Sequence, residues 1–503
     1  MRASADGHSP RVLKLASFHM SGSRRVSDPS SHRAPSSTLS IAMAGTQDPR
    51  PTTEEMLKEC PRFRILVVGK SGVGKSCLIN HAFGINLATS PDQARGICRI
   101  EDEIISKHNE RFVLHDSMGF EPGQTQNLMA AKQFLESHGE DVPLKDRVHA
   151  IWLCIQIPHA GGRVFETGDE EFLQLGTENM PVIVVFTQFD TLYSRMEEQL
   201  TDAECELSDE EIHALCLQRA DAEFKEICVG VLTAINGSVQ YARTSGLASN
   251  SPKRDQGALK NLIGITQNLV QGTVWYISAM AQRASAMEKI NASIEYIVGM
   301  KRYWLSLGSS TELLGLKLEN CMKLLHYDIT ASWNFDDDKL LDSDEFMNQI
   351  KSFAQLVTPP ESEAKSWFSD QKGLYTLLGL AGSALVGVAV PALGVIGLSI
   401  AFTRWIANIY VNTPEVLRFL MAYMIDLTLV LDQLFLITLD QRPARRLTMD
   451  DIDLAVKNYR MSNTATVHNK IREYANKATV AEICRSTKAE EKVKELIKEY
   501  RAK

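Results

Sequence analysis

Residues 65–76 read ILVVGKSGVGKS. Four apolar residues run into Gly69, Lys70, Ser71, Gly72, Val73, Gly74, Lys75 and Ser76, the spacing G-x-x-x-x-G-K-[ST] of a phosphate-binding loop. Each position has a physical job. Residues 65–68 suit a buried parallel strand that delivers the loop to a sheet edge. The glycines permit a tight loop whose backbone N–H groups point inward at phosphate oxygens. Lys75 reaches the outer phosphates, and the Ser76 hydroxyl can ligate Mg²⁺. From Cys77 a helix opens, its positive N-terminus facing the same anion.

The bulk composition narrows the function classes. A chain of 503 residues has room for several domains. Its net charge of −8 argues against a dedicated nucleic-acid binder, which carries a basic face. Nine cysteines are scattered without a C-x-x-C pair. They read as reduced thiols of a cytoplasmic protein, not as a disulfide frame or zinc site. Residues 1–58 are rich in Ser, Arg and Pro and read as a disordered N-terminal tail. Arg2, Arg11, Lys14, Arg24 and Arg25 would suit a mitochondrial presequence, but Asp6 and Asp28 count against one. MAGTQDP at Met43 is an alternative start.

From Arg62 onward strand and helix patterns alternate, as in a doubly wound, mainly parallel sheet. Strands are expected at 65–68, 98–105, 111–115, 150–157, 182–187 and 274–278. The stretch 191–273 is too long for an ordinary connection and reads as an insertion decorating the core. It holds a charged helical segment at 209–232 and a polar loop at 242–257. After Ser278 the pattern is helical throughout. The expected division is a tail at 1–58, a nucleotide-binding domain at 59–288, a helical domain at 289–370, an apolar hairpin and helix at 371–440, and a basic helical tail at 441–503.

Residues 373–403 contain no charged residue, a run longer than the ~20 needed to cross a bilayer. Pro391 divides it into two Gly- and Ala-rich halves. A membrane-inserted segment and a tightly packed hairpin buried in protein both fit this pattern, so the segment is a candidate for membrane contact. Thr413, Pro414 and Glu415 then start an apolar helix running to about Leu439. Arg418, Asp426 and Asp432 interrupt it, and such carboxylates are costly against lipid. At least one face of this helix is therefore expected to pack on protein. Arg442, Arg445 and Arg446 follow and read as a solvated face, with anionic lipid as the alternative.

Three further motifs follow the loop in order. Residues 112–119, FVLHDSMG, form an apolar strand ending in D-x-x-G. Asp116 would hold Mg²⁺ through water and the Gly119 N–H would sense a terminal phosphate. Residues 182–186 form a strand ending in Thr187, Gln188, Phe189 and Asp190. A carboxylate at Asp190 can accept both N1–H and N2–H₂ of guanine, which adenine cannot offer. Residues 275–279, WYISA, read as a strand whose following turn presents the Ala279 N–H, next to Ser278, to guanine O6.

The series GKSGVGKS, DSMG, TQFD and SA resembles the guanine-nucleotide-binding domain of the translation-factor-related P-loop GTPases, a group with Era-like, septin-like and immunity-associated branches. DSMGFEPG, VHAIWLCIQIP, AGGRVFE, MPVIVVFTQFD and LHYDITASWNF are similar to a fungal group of G-domain proteins with long helical C-terminal regions. The resemblance implies an α/β P-loop GTPase domain followed by an all-α region with an apolar hairpin, binding GTP or GDP with Mg²⁺. Carried over by position, Gly69–Cys77 hold phosphate, Ser76 and Asp116 serve the metal, and Lys75, Ser76 and Gly119 serve hydrolysis. Thr187, Gln188, Asp190, Ser278 and Ala279 serve the base.

Three positions depart from that pattern. Gln188 stands where the base reader usually has Lys, which predicts retained guanine choice with lower affinity. Phe120 and Glu121 stand where relatives carry a water-orienting Gln. Unaided hydrolysis is therefore expected to be slow unless Glu121, His115, a partner or a second copy of the domain helps. Thr89 and Ser90 are candidates for the switch hydroxyl. His115, Trp152 and Arg163 read more simply as packed, core and solvated residues. Three functions compete: a slow GTP switch, a nucleotide-binding membrane-anchored scaffold that does not hydrolyse, and a dynamin-like membrane remodeller.

Overall fold

The computed structural model describes residues 52–87, 99–120, 125–158, 162–175, 180–247, 256–294, 314–337, 339–357, 414–439, 445–477 and 488–502. The candidate switch residues Thr89 and Ser90, Glu121, and the apolar run 373–403 lie outside them, as do residues 1–51.

Helix α1 (Thr52–Glu59) falls within the stretch expected to be tail. Strand β1 (Phe63–Gly69) follows and is buried along its whole length. Then come α2 (Lys75–Phe83), β2 (Ile104–Ser106), β3 (Asn109–Met118), α3 (Thr125–Ser137), β4 (Ala150–Gln156), α4 (Thr167–Gln174), β5 (Val182–Thr187) and α5 (Phe189–Glu198). Helix α6 (Asp209–Phe224) continues through a π-helical turn at Lys225–Val229 into α7 (Gly230–Asn236), and strand β6 (Gln240–Arg243) follows. The six strands lie in the order β2-β3-β1-β4-β5-β6. Only the β2–β3 pair is antiparallel.

Three expectations are corrected here. The strand expected from residue 98 is only Ile104–Ser106. The stretch 191–273 does more than decorate the core, because it supplies β6, which pairs in parallel with β5 and closes that side of the sheet. The strand expected at 274–278 is instead part of helix α9 (Gly272–Ala281), preceded by α8 (Gln256–Leu269). Helix α9 is buried from Tyr276 to Ala281 and packs on β1 and β3. The stretch buried from Tyr276 to Ala281 lacks the polar face that gives the 3.6-residue period, so its sequence mimics a buried strand.

The period-2 alternation of the central strands separates two cores. Ile65, Val67, Phe112, Leu114, Trp152 and Cys154 face α2, α8 and α9. Leu66, Val68, Ile151, Leu153, Ile155 and Phe186 face α3, α4, α5 and α6. Because β1 pairs with both β3 and β4, the carboxyl end of β1 sits where strand order reverses. That is the crevice where open α/β sheets bind ligands.

The described remainder is helical: α10 (Ala286–Asn291), α11 (Leu314–Trp333), α12 (Asp344–Gln355), α13 (Pro414–Thr438), α14 (Met449–Met461), α15 (Thr464–Lys477) and α16 (Lys488–Tyr500). Ser343 caps α12, its Oγ accepting the Phe346 N–H at 3.2 Å. Helix α13 is the axis of this half. From Arg418 to Thr438 it has the length and composition of a membrane span, yet most of it is buried in protein. It packs on α11, α12, α14, α15 and α16. Its carboxylates are satisfied inside that core. Asp426 accepts the Tyr459 hydroxyl at 2.5 Å and meets His468 Nε2 at 3.0 Å. Asp432 accepts the Ala502 N–H at 2.9 Å. The two halves meet at α1, whose first N–H groups, on Thr52 and Thr53, are capped by Asp328 of α11 at 3.0 and 2.9 Å. Burial raises the Asp328 pKa to about 6.

Candidate functional site

The loop between β1 and α2 sits at the switch point. Gly74 is the N-cap of α2, with φ of 98° and no side-chain cap. The first N–H groups of the helix therefore face outward beside the exposed Ser76. Lys75 folds back over the loop. Its Nζ donates to Gly69 O at 2.5 Å and lies 3.8 Å from Asp116 Oδ1. Asp116 stands level with Val67 in the β1–β3 register. Ammonium, hydroxyl, carboxylate and helix N-terminus thus lie together at the carboxyl edge of the sheet, which suits a polyphosphate.

Gly119, just beyond β3, lies against the loop. A side chain there would collide with the backbone N of Lys70, so only glycine fits. The next residue, Phe120, turns inward. It is 1% exposed and packs on Phe172 with ring centroids 5.3 Å apart. Gly168 at the start of α4 makes room for it, since a Cβ there would lie 2.5 Å from that of Phe120. Lys70 reaches across to Glu166, which ends the segment before α4, at 2.6 Å. Asp169 closes a capping box on the Glu166 N–H at 2.9 Å, and burial raises its pKa to about 6.

His115 is occupied elsewhere. Its Nδ1 lies 2.8 Å from Ile100 O, and its Nε2 lies 2.7 Å from Arg64 Nη1. A carbonyl only accepts and a guanidinium only donates, so the ring is the neutral Nδ1–H tautomer. Burial pulls its pKa down to about 4. Trp152 is fully buried and donates to Thr266 Oγ1 at 3.2 Å. Arg163 pairs with Glu170 at 2.8 Å.

The second loop cluster lies at the ends of β5 and β6. Thr187 is buried at the end of β5. Gln188 is the N-cap of α5 in the left-handed region. Its amide donates to Gly72 O of the phosphate loop at 3.2 Å and accepts from Gln156 Nε2 at 2.9 Å. Asp190 is exposed. Its Oδ1 accepts the Gly246 N–H at 3.1 Å, and the Ser245 hydroxyl is 3.5 Å away. The Thr244 N–H donates to Phe186 O at 2.8 Å, and the Phe189 N–H donates to Thr244 O at 3.1 Å. The loop beside Asp190 is therefore Thr244-Ser245-Gly246, which the sequence reading passed over.

Ser278 and Ala279 do not line this cluster. Both lie inside buried α9, and Ser278 Oγ accepts from Gln267 and donates to Trp275 O. The signal for the loop beside Asp190 is the short run QYAR followed by T-S-G at 244–246.

Residues 64–188 match a family model described as 50S ribosome-binding GTPase. The chain carries a P-loop GTPase domain. That G domain supports guanine-nucleotide binding. Residues 340–503 match a second family, described only as a domain of unknown function (DUF8505), which takes in α12 to α16. No curated protein matches the chain. A divalent ion in this G domain would meet hard oxygen donors at Ser76 and Asp116, the donor type that suits Mg²⁺. Among the described residues no cluster of three or more His, Cys, Asp or Glu could hold a metal by itself.

Proposed function

We propose that this chain binds GTP and GDP with Mg²⁺ and hydrolyses GTP slowly, as a switch read by the helical half. The observation that carries the guanine reading is the exposed Asp190 carboxylate, pinned by Gly246 and tied through neighbouring Gln188 to Gly72 of the phosphate loop. In this reading Lys75 and the first N–H groups of α2 hold the phosphates. Ser76 and Asp116 hold Mg²⁺, which supplies charge neutralisation at the outer phosphates.

Slow turnover is supported by what surrounds the phosphate site. Phe120 is buried where a water-orienting amide would stand, and His115 is locked neutral between Arg64 and Ile100. The test is nucleotide binding and single-turnover hydrolysis on the full chain. Guanine over adenine preference with a rate at or below about 10⁻⁴ per second is expected. Turnover of several per second without a partner would overturn the slow-switch reading.

A further inference from the structure

The segment expected to be a mere insertion is tied to the base-side loop through one side chain. Arg243 ends β6 and stands level with Phe186 of β5. Its guanidinium carbon lies 3.9 Å from the ring centroid of Phe189 and 5.7 Å from that of Phe224 on α6. Its Nη1 pairs with the Asp221 carboxylate, also on α6. Phe189 is 5% exposed and sits between Gln188 and Asp190. The next residue after Arg243 is Thr244, whose carbonyl holds the Phe189 N–H at 3.1 Å. One cation therefore fixes the ring that Asp190 follows and the strand end from which Ser245 and Gly246 reach Asp190.

We propose that Arg243 is a positioning residue for guanine selection: stacked on Phe189 and anchored by Asp221, it sets where the Asp190 carboxylate stands. The proposal rests on the guanine-binding reading above. The chemistry gives it a specific signature. A carboxylate that accepts N1–H and the 2-amino group at once must have both oxygens in the plane of the base, so a small displacement weakens the pair. Hypoxanthine lacks the 2-amino group and offers one of those bonds only. The ratio of GDP to IDP affinity thus reads the placement of Asp190, whereas loss of overall fold lowers both affinities together.

The experiment uses the full chain and its variants Arg243→Ala, Arg243→Lys and Phe189→Leu. Competition against a fluorescent GDP analogue gives dissociation constants for GDP, IDP and ADP, and thermal melting without nucleotide monitors the fold. Arg243→Ala is expected to weaken GDP about tenfold and IDP less than about threefold, the size of a lost half-buried cation–π contact together with its ion pair. Arg243→Lys keeps a cation over the ring and recovers most of the ratio. Phe189→Leu keeps buried bulk without a ring face, so it lowers the ratio as Arg243→Ala does, and it serves if the alanine variant fails to fold. An unchanged GDP to IDP ratio in the folded variants overturns the proposal and leaves Arg243 as a brace for α6. Wild-type protein without preference for GDP over ADP overturns the guanine reading itself.

Discussion

Asp190 Oδ1 accepts the backbone N–H of Gly246 at 3.1 Å, across the carboxyl ends of β5 and β6. Gly246 has φ of 63°, a left-handed conformation that costs an alanine ~1 kcal/mol. Gly246→Ala is expected to weaken GDP binding about fivefold, since the strain is relieved by moving the N–H that pins the carboxylate. Isothermal titration of the variant against GDP checks this. Undiminished affinity would mean that the loop after β6 plays no part.

Gln188 supports a second prediction. Its amide spans from Gln156 to Gly72 O, so it ties the end of β4 and the phosphate loop to the start of α5. Gln188→Ala removes both bonds and should weaken GDP about fivefold, the net worth of roughly one hydrogen bond. Gln188→Lys should bind GDP at least as tightly as wild type. A lysine variant that binds more weakly would show that the glutamine is matched to Gln156.

Restoring a glutamine after D-x-x-G should not restore hydrolysis. Phe120 is buried against Phe172 and Gly168, and the variant amide would be buried without the ring's contacts. Phe120→Gln is expected to lower stability by about 3 kcal/mol or more. Single-turnover hydrolysis should stay at the wild-type rate. A clear rise in rate would mean that residue 120 turns outward when nucleotide binds.

The helical half carries a pH signature. His326 Nε2 lies 2.6 Å from Leu341 O and its Nδ1 lies 2.8 Å from the Tyr423 hydroxyl. The ring is thus the neutral Nε2–H tautomer, and burial pulls its pKa down to about 4 from 6.5. Between those values the unfolded chain binds more protons, so stability falls as pH falls through that window. His326→Gln removes this dependence. The stability gap between wild type and variant in urea should narrow by about 1.4 kcal/mol from pH 7.5 to 5.5. A constant gap would contradict the neutral buried ring.

The phosphate side of the site was legible because its residues are contiguous and local. Gly69–Ser76 and the strand before them announce both loop and helix, and Asp116 and Gly119 end a plainly apolar strand. The base side was legible only in half. Asp190 closely follows a buried strand, Val182–Thr187. Its partner loop follows a four-residue edge strand with Gln240 and Tyr241 exposed, too short and polar to read as a strand. The apolar WYISA reads as a strand instead, because burial from Tyr276 to Ala281 erases its helical period. The carboxylates of α13 announce in the sequence that the helix needs protein around it. Their partners, Tyr459, His468 and Ala502, are distant in sequence and set by tertiary packing alone.

Guanine reading by Asp190, as proposed, is tested most directly by the affinity of Asp190→Asn for GDP and XDP. The asparagine amide donates where xanthine offers a carbonyl in place of the 2-amino group. GDP affinity is expected to fall by about 100-fold and XDP affinity to rise above it, the scale of two charge-assisted hydrogen bonds. A variant that still binds GDP as wild type does, with no gain for XDP, would contradict the account.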